Sequence, residues 1–135
     1  QFDLQLQVDQ SLNVGTQLPA FPSGQPTFSK GDLVTVSIGG NDARYFQQGV
    51  YGAFTVNDAI SATRTQLDRL VNAGAPTISF LAGNTAQLPE VATNPAAQAT
   101  RNAFSTSFNA GVQNILAGYA SRGTVVHYLD LTRVL

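Results

Sequence analysis

Two hydrophobic periods alternate along the chain. Leu33 to Ile38 is a short, continuous apolar run rich in β-branched residues, the pattern of a strand buried on both faces of a parallel sheet. Thr77 to Leu81 forms a second buried-type run and stops at Gly83, and Thr124 to Leu131 forms a third. Between these runs the period lengthens. From about Asn57 onward, Ile60, Leu67, Leu70 and Val71 share one helical stripe, and Gly74 suits the C-terminal cap. Asn94 reads as an N-cap with Pro95 at the first helical position. Phe104, Phe108, Val112, Ile115, Leu116 and Tyr119 then keep helical spacing until Gly123. The segment "FDLQLQVDQSLN", residues 2–13, fits both periods. Phe2, Leu4, Leu6 and Val8 alternate, whereas Leu4, Val8 and Leu12 repeat at helical spacing. Residues 14–30 hold Gly15, Pro19, Pro22, Gly24 and Pro26 and read as an irregular connection. The closing "TRVL" reads as the start of a further helix.

Strands alternating with long amphipathic helices predict an α/β domain: a parallel sheet covered on both faces by right-handed crossovers. At 135 residues the chain is one domain or part of one. Its hydrophobic fraction of 43% supplies a core. Only 11% of residues are charged and the formal net charge is −1, which removes the electrostatic case for nucleic acid or an anionic membrane. Without cysteine there is neither a disulfide framework nor a thiolate metal site. The single lysine, Lys30, beside plentiful Gln, Asn, Thr and Ala, leans toward an exported bacterial protein, secreted or at the cell surface. The start at Gln1 and the absence of methionine suggest a chain processed or excised from something longer.

The chemistry-bearing stretch is "DLVTVSIGGND", residues 32–42, where the first apolar run ends in Gly39, Gly40, Asn41 and Asp42. In open α/β sheets ligands bind beyond the carboxyl ends of the strands. Glycine lets backbone approach a ligand closely, and an asparagine amide offers two N–H donors. A rigidly held donor stabilises the oxyanion of a tetrahedral intermediate by about 3–4 kcal/mol. The same four residues also suit an ordinary strand-to-loop turn. A loop is expected to follow, with Tyr45, Phe46, Tyr51 and Phe54 either walling an acyl or alcohol pocket or forming a small core of their own. No Walker loop or dinucleotide fingerprint follows a strand, and a single histidine argues against metal ligation. Asp58, Asp68 and Glu90 form no convincing carboxylate pair, and Arg64 and Arg69 read as solvent-facing.

"LVTVSIGGND" resembles the GxND block of the SGNH (GDSL-type) esterases and lipases. "LQVDQSL" is similar to the helix that precedes this block in bacterial members. "AGAPTISFLAGNTAQLPEVATNP" is similar to their next strand and loop, "FSTSFNAGVQNIL" to a helix carrying Phe-Asn, and "VVHYLDLTRVL" to the strand that follows. The exported branch that includes autotransporter esterases is the nearest in character. The resemblance implies a three-layer flavodoxin-like fold with helices on both faces, incomplete in this chain, and hydrolysis of carboxylic ester or lipid substrates through an acyl-serine. It implies no cofactor and no metal. Asn41 carries over as an oxyanion-hole donor and Gly39 as the glycine of the block, with Gly40, Tyr45 and Phe46 as candidate substrate contacts. Asp42 carries over as a residue that fixes the turn.

The departures from that family are as informative. No Gly-Asp-Ser-Leu segment is present, and the residue three before His127 is Thr124 rather than aspartate. The nucleophile block is expected upstream of residue 1 and the Asp-His block downstream of residue 135. Ser37 sits inside a strand pattern where alternation suggests packing, and Ser105, Ser107 and Ser121 fall on or after a helix. His127 reads as a sheet-facing residue rather than a base. The isolated chain is therefore expected to be inert toward esters. An incomplete sheet is expected to pair with complementary segments of the same hydrolase, to self-associate, or to be poorly soluble. The other class left open is a non-catalytic α/β module for binding or assembly.

Overall fold

A computed structural model of the protein describes residues 2–11, 28–50 and 52–133. Of the expectations above, residues 12–27, Tyr51 and residues 134–135 lie outside the described residues. The elements run α1 (Phe2–Ser11), β1 (Val34–Val36), α2 (Gly40–Gln48), α3 (Val56–Asn72), β2 (Thr77–Ala82), α4 (Pro95–Ser121) and β3 (Val125–Asp130). Short 3₁₀ turns occupy Thr85–Gln87, Pro89–Val91 and Leu131–Arg133. Within the ambiguous N-terminal segment, residues 2–11 are thus helical, and residues 131–133 form a 3₁₀ turn.

The three strands are parallel, in the order β1-β2-β3. Strand order follows chain order, so crossovers of one hand place their helices on one face, where α3 and α4 pack on each other. A second helical layer would need the strand order to reverse, which these three strands do not do, so the described residues hold the α/β parallel sheet and one of the expected helical layers. Register and burial show the same asymmetry. Val34, Ile78 and Val126 form one row facing the helices, and Val36, Phe80 and Tyr128 the next. Thr35, Ser79 and His127 form a row on the opposite face, where Val125 and Leu129 are also exposed. The apolar runs are consequently strands buried on one face, not two. Ser and Thr at alternate positions, as in Val34-Thr35-Val36 and Ile78-Ser79-Phe80, carry that period of two.

Local chemistry sets the helix boundaries. Thr55 caps α3 in a capping box: its side chain accepts from Asp58 N–H, and the Asp58 carboxylate accepts from Thr55 N–H at 2.8 Å. Asn94 caps α4 by accepting from Ala97 N–H at 3.0 Å, and Pro95 follows at the first helical position. Phe104, Phe108, Val112, Ile115, Leu116 and Tyr119 are all buried on α4. Each such side chain contributes about 2 kcal/mol by leaving water. Gly111 lets α4 approach α3 closely, because a Cβ there would lie 2.6 Å from Ile60 Cδ1.

Polar ties complete the packing. The buried Tyr119 hydroxyl donates to the Asp68 carboxylate, and the Arg122 guanidinium lies 5.1 Å from the Tyr119 ring centroid. Burial first, and the Asp68 carboxylate second, push the Tyr119 phenol well above its ordinary value. Arg69 is half-buried rather than solvent-facing, pairing with Asp9 at 2.6 Å and Gln66 at 2.8 Å, and so fastens α1 to α3. Arg64 is exposed as expected.

Candidate functional site at the carboxyl ends of the strands

A cavity of about 340 Å³ opens where β1 and β2 end. Ser37, Gly39, Gly40 and Asn41 line it from β1 and the start of α2, and Gly83, Asn84 and Thr85 from the end of β2. Ser105, Phe108 and Asn109 of α4 form its floor. This is the rim where ligands of open α/β sheets bind.

The loop expected after "GGND" is instead helix α2. Gly39 is its N-cap in the left-handed region, at φ 109° and ψ −17°, and Gly40 is its first residue. Gly-Gly-Asn-Asp disguises a helix start as a turn, because the two share a chemistry. Asp42, in the third helical position, is buried, where a carboxylate complements the helix dipole. Gly39 supplies no side-chain cap, so the electropositive first turn of α2, including Asn41, borders the cavity.

Two constraints fix glycine at position 39. Its φ disfavours L-residues, and a Cβ there would lie 2.5 Å from Phe108 Cε1. Gly39→Ala is expected to cost about 2–3 kcal/mol in urea denaturation. Gly49→Ala, at φ 69° with no atom within 4 Å of its Cβ, is expected to cost about 1 kcal/mol. Equal costs at the two sites would show that the Phe108 contact does not constrain Gly39.

The candidate residues divide between the cavity and the rest of α2. Gly39, Gly40 and Asn41 line the cavity; Tyr45 and Phe46 do not. The Phe46 ring packs 5.1 Å from Phe104 while remaining 38% exposed, and Phe54, 6.2 Å from the same ring, packs against the core. Tyr45 is half-buried on α2. Ser37 is exposed beyond the end of β1 and lines the cavity, contrary to the packing inferred from alternation. Ser105 is buried and also lines it, whereas Ser107 and Ser121 are exposed elsewhere. His127 lies on the face of the sheet away from the helices. No group of three His, Cys, Asp or Glu suited to a metal ion occurs among the described residues.

The sequence reading missed the asparagines opposite Asn41. Asn84 follows Gly83 at the end of β2, echoing Gly40-Asn41 at the end of β1. Its side chain accepts from Ala86 N–H at 2.9 Å and donates to Asn102 Oδ1 at 2.8 Å. Asn109 donates to Gly83 O at 3.2 Å.

Behind the cavity, Arg101 is 1% exposed and ties three elements together. Its guanidinium donates to Gln47 Oε1 of α2 at 3.2 and 3.1 Å, to Thr85 O at 3.4 Å and to Glu90 Oε1 at 2.7 Å. Glu90 also accepts from Arg44 at 2.9 and 3.2 Å. The Arg101 hydrogen bond, assisted by Arg44, holds the Glu90 carboxyl below its ordinary value of 4.5. A depressed folded-state value means this stabilisation is present above the ordinary value and lost as pH falls through the lowered one. Urea midpoints measured from about pH 7 to about pH 3 should therefore show wild type and Glu90→Gln converging in acid. A constant gap between them would remove Glu90 from the acid response.

Comparison of the chain with protein-family models, with curated proteins and with solved structures finds no match in any of the three.

Proposed function

We propose that this chain forms the central part of a carboxylic ester hydrolase of the SGNH type and supplies its oxyanion-hole block. One observation carries the reading: Gly39, Gly40 and Asn41 border a cavity at the carboxyl end of β1, at the electropositive start of α2. A carbonyl oxygen gaining charge there would meet the Asn41 carboxamide and first-turn backbone amides, which stabilise an anion more than a neutral carbonyl. The serine nucleophile and the Asp-His base would come from segments outside these 135 residues, because His127 lies on the other face of the sheet. The substrate is a carboxylic ester or lipid, no cofactor takes part, and the export-type composition suits a secreted or cell-surface enzyme.

The test is a p-nitrophenyl ester assay on the isolated chain and on a form extended at both ends. The extended form should turn over and the isolated chain should not. Turnover by the isolated chain, abolished by changing Ser37 or Ser105, would overturn the assignment. The placement of His127 also favours a second reading, a binding or assembly module that keeps the fold without the chemistry. Such a protein would hydrolyse no ester in any extended form.

A further inference from the structure

The floor of the cavity holds a polar group that the fold leaves without a partner. Ser105 lies on α4, is 6% exposed, and lines the cavity. Its hydroxyl makes no hydrogen bond among the described residues. A helical serine or threonine can bond the carbonyl four residues earlier, as Thr100 does on the same helix with Ala96 O at 3.0 Å. Thr85, which lines the same cavity, is also unpartnered, and its Oγ1 is wholly enclosed. Among the described residues Thr85 Oγ1 alone is both enclosed and unpaired, so the Ser105 oxygen still opens on the cavity. Native folds leave few buried polar groups unmatched. Two such hydroxyls at one cavity mark a place where a bound molecule completes the bonding.

The surroundings decide which part of a ligand reaches Ser105. Asn41 is exposed at the cavity's margin, whereas Ser105 sits on the enclosed floor beside the buried Phe108. Resting on the hydrolase reading above, an ester whose carbonyl lies at Asn41 sends one half toward that floor. In acyl transfer through a serine the alcohol half departs first, taking up a proton, while the acyl half stays until water releases it. The enclosed floor suits the half that stays. Leu81, Leu88 and Phe108 offer its carbon skeleton apolar contact. A plain alkyl chain would cover the Ser105 hydroxyl and leave it unpaired. A hydroxyl on the acyl group donates and accepts, as serine's own does. We propose that the cavity selects esters of short hydroxy acids, with Ser105 as the specificity-determining contact to the acyl hydroxyl. A site built around such a bond discriminates against the analogue that lacks it.

The experiment is a titration of the ¹⁵N-labelled 135-residue chain with two isosteric pairs of esters. Methyl 3-hydroxybutanoate is set against methyl 3-methylbutanoate, and methyl lactate against methyl 2-methylpropanoate, with both enantiomers of each hydroxy ester. Binding is read from the backbone amide signals of Gly40, Ser105 and Asn109. At least one hydroxy ester should bind about fivefold or more tighter than its alkyl partner. Ser105→Ala, at a helix position that favours alanine, should bring that ratio to within about twofold. The proposal is overturned if no ester moves these signals or if the preference survives Ser105→Ala. Equal binding within both pairs, as an ordered water on Ser105 would give, overturns it too. The comparison within each pair is made on the wild-type chain and does not depend on the variant. Ester binding needs no nucleophile, so the two readings fail separately. An extended form that hydrolyses p-nitrophenyl acetate, from a chain that binds hydroxy and alkyl esters alike, overturns the selectivity alone. A hydroxy-ester preference in a chain whose extended form hydrolyses no ester supports the Ser105 contact and overturns the hydrolase.

Discussion

Asn41→Ala in a catalytically competent, extended form of the protein is expected to lower kcat by about a hundredfold or more while KM stays within a few-fold. The reason is differential binding. A ground-state carbonyl carries little charge, so a carboxamide donor contributes little to substrate affinity. Charge develops on that oxygen only as the tetrahedral species forms, and a donor held in place needs no reorganisation then. Asn41 lies in the first turn of α2, seated by Gly39 against Phe108 and by the buried Asp42. Asn41→Asp should fall at least as far, since a carboxylate is similar in shape, carries no N–H donor when ionised, and repels the oxyanion. Saturation kinetics on a p-nitrophenyl ester would check both variants. A KM effect with unchanged kcat would make Asn41 a residue of uniform binding and take the oxyanion role from it. Residual activity is expected to remain in Asn41→Ala, because the helix start and its backbone amides persist.

Arg101→Ala is expected to destabilise the fold by about 3 kcal/mol, lowering the urea midpoint with little change in slope. The guanidinium is almost wholly enclosed and donates to side-chain and backbone acceptors on three elements. Alanine would leave a cavity, and Gln47 Oε1 and Thr85 O would lose donors away from bulk water. Arg101→Lys should recover only part of the loss, because an ammonium has one point of attachment and no planar fork. A cycle with Gln47→Ala should give a coupling energy of about 1 kcal/mol or more. A loss below about 0.5 kcal/mol would place Arg101 among ordinary surface substitutions. The same brace joins α2 to the turns after β2, both of which border the cavity, so Arg101→Ala should also broaden the backbone amide signals of Gly40 and Thr85.

Much of this architecture was legible in the residues. The stripes of α3 and α4, the Asn94-Pro95 start and the three strands all follow from local period and capping chemistry, which act within a few residues. Gly39, Gly40 and Asn41 could be placed at the carboxyl end of a strand, where they line a cavity, because they follow the first apolar run directly in sequence. Other features depend on tertiary partners that no local pattern encodes. Helix α2 was hidden because its first residues are turn formers, and its Phe46 packs on Phe104 rather than lining the cavity. The single-sided sheet depends on strand order, which period does not report. Arg101 lies among polar neighbours on α4 and reads as a surface cation until Gln47, Thr85 and Glu90 close around it. Asn84 and Asn109 converge from segments 25 residues apart, and only the fold makes them neighbours of Asn41.

The order of the strands also bears on how the molecule breathes. Only β2 has a neighbour on each side among the described residues. Ile78 to Leu81 should therefore trade amide hydrogens with deuterated solvent through whole-molecule opening, at the slowest rates in the chain. Val34 to Val36 and Val125 to Asp130 can come loose singly while the rest stays shut. Only Ser37 and Ile38 separate β1 from residues 39–41, so the excursions of this three-residue strand would set how long the arrangement beside it survives between openings.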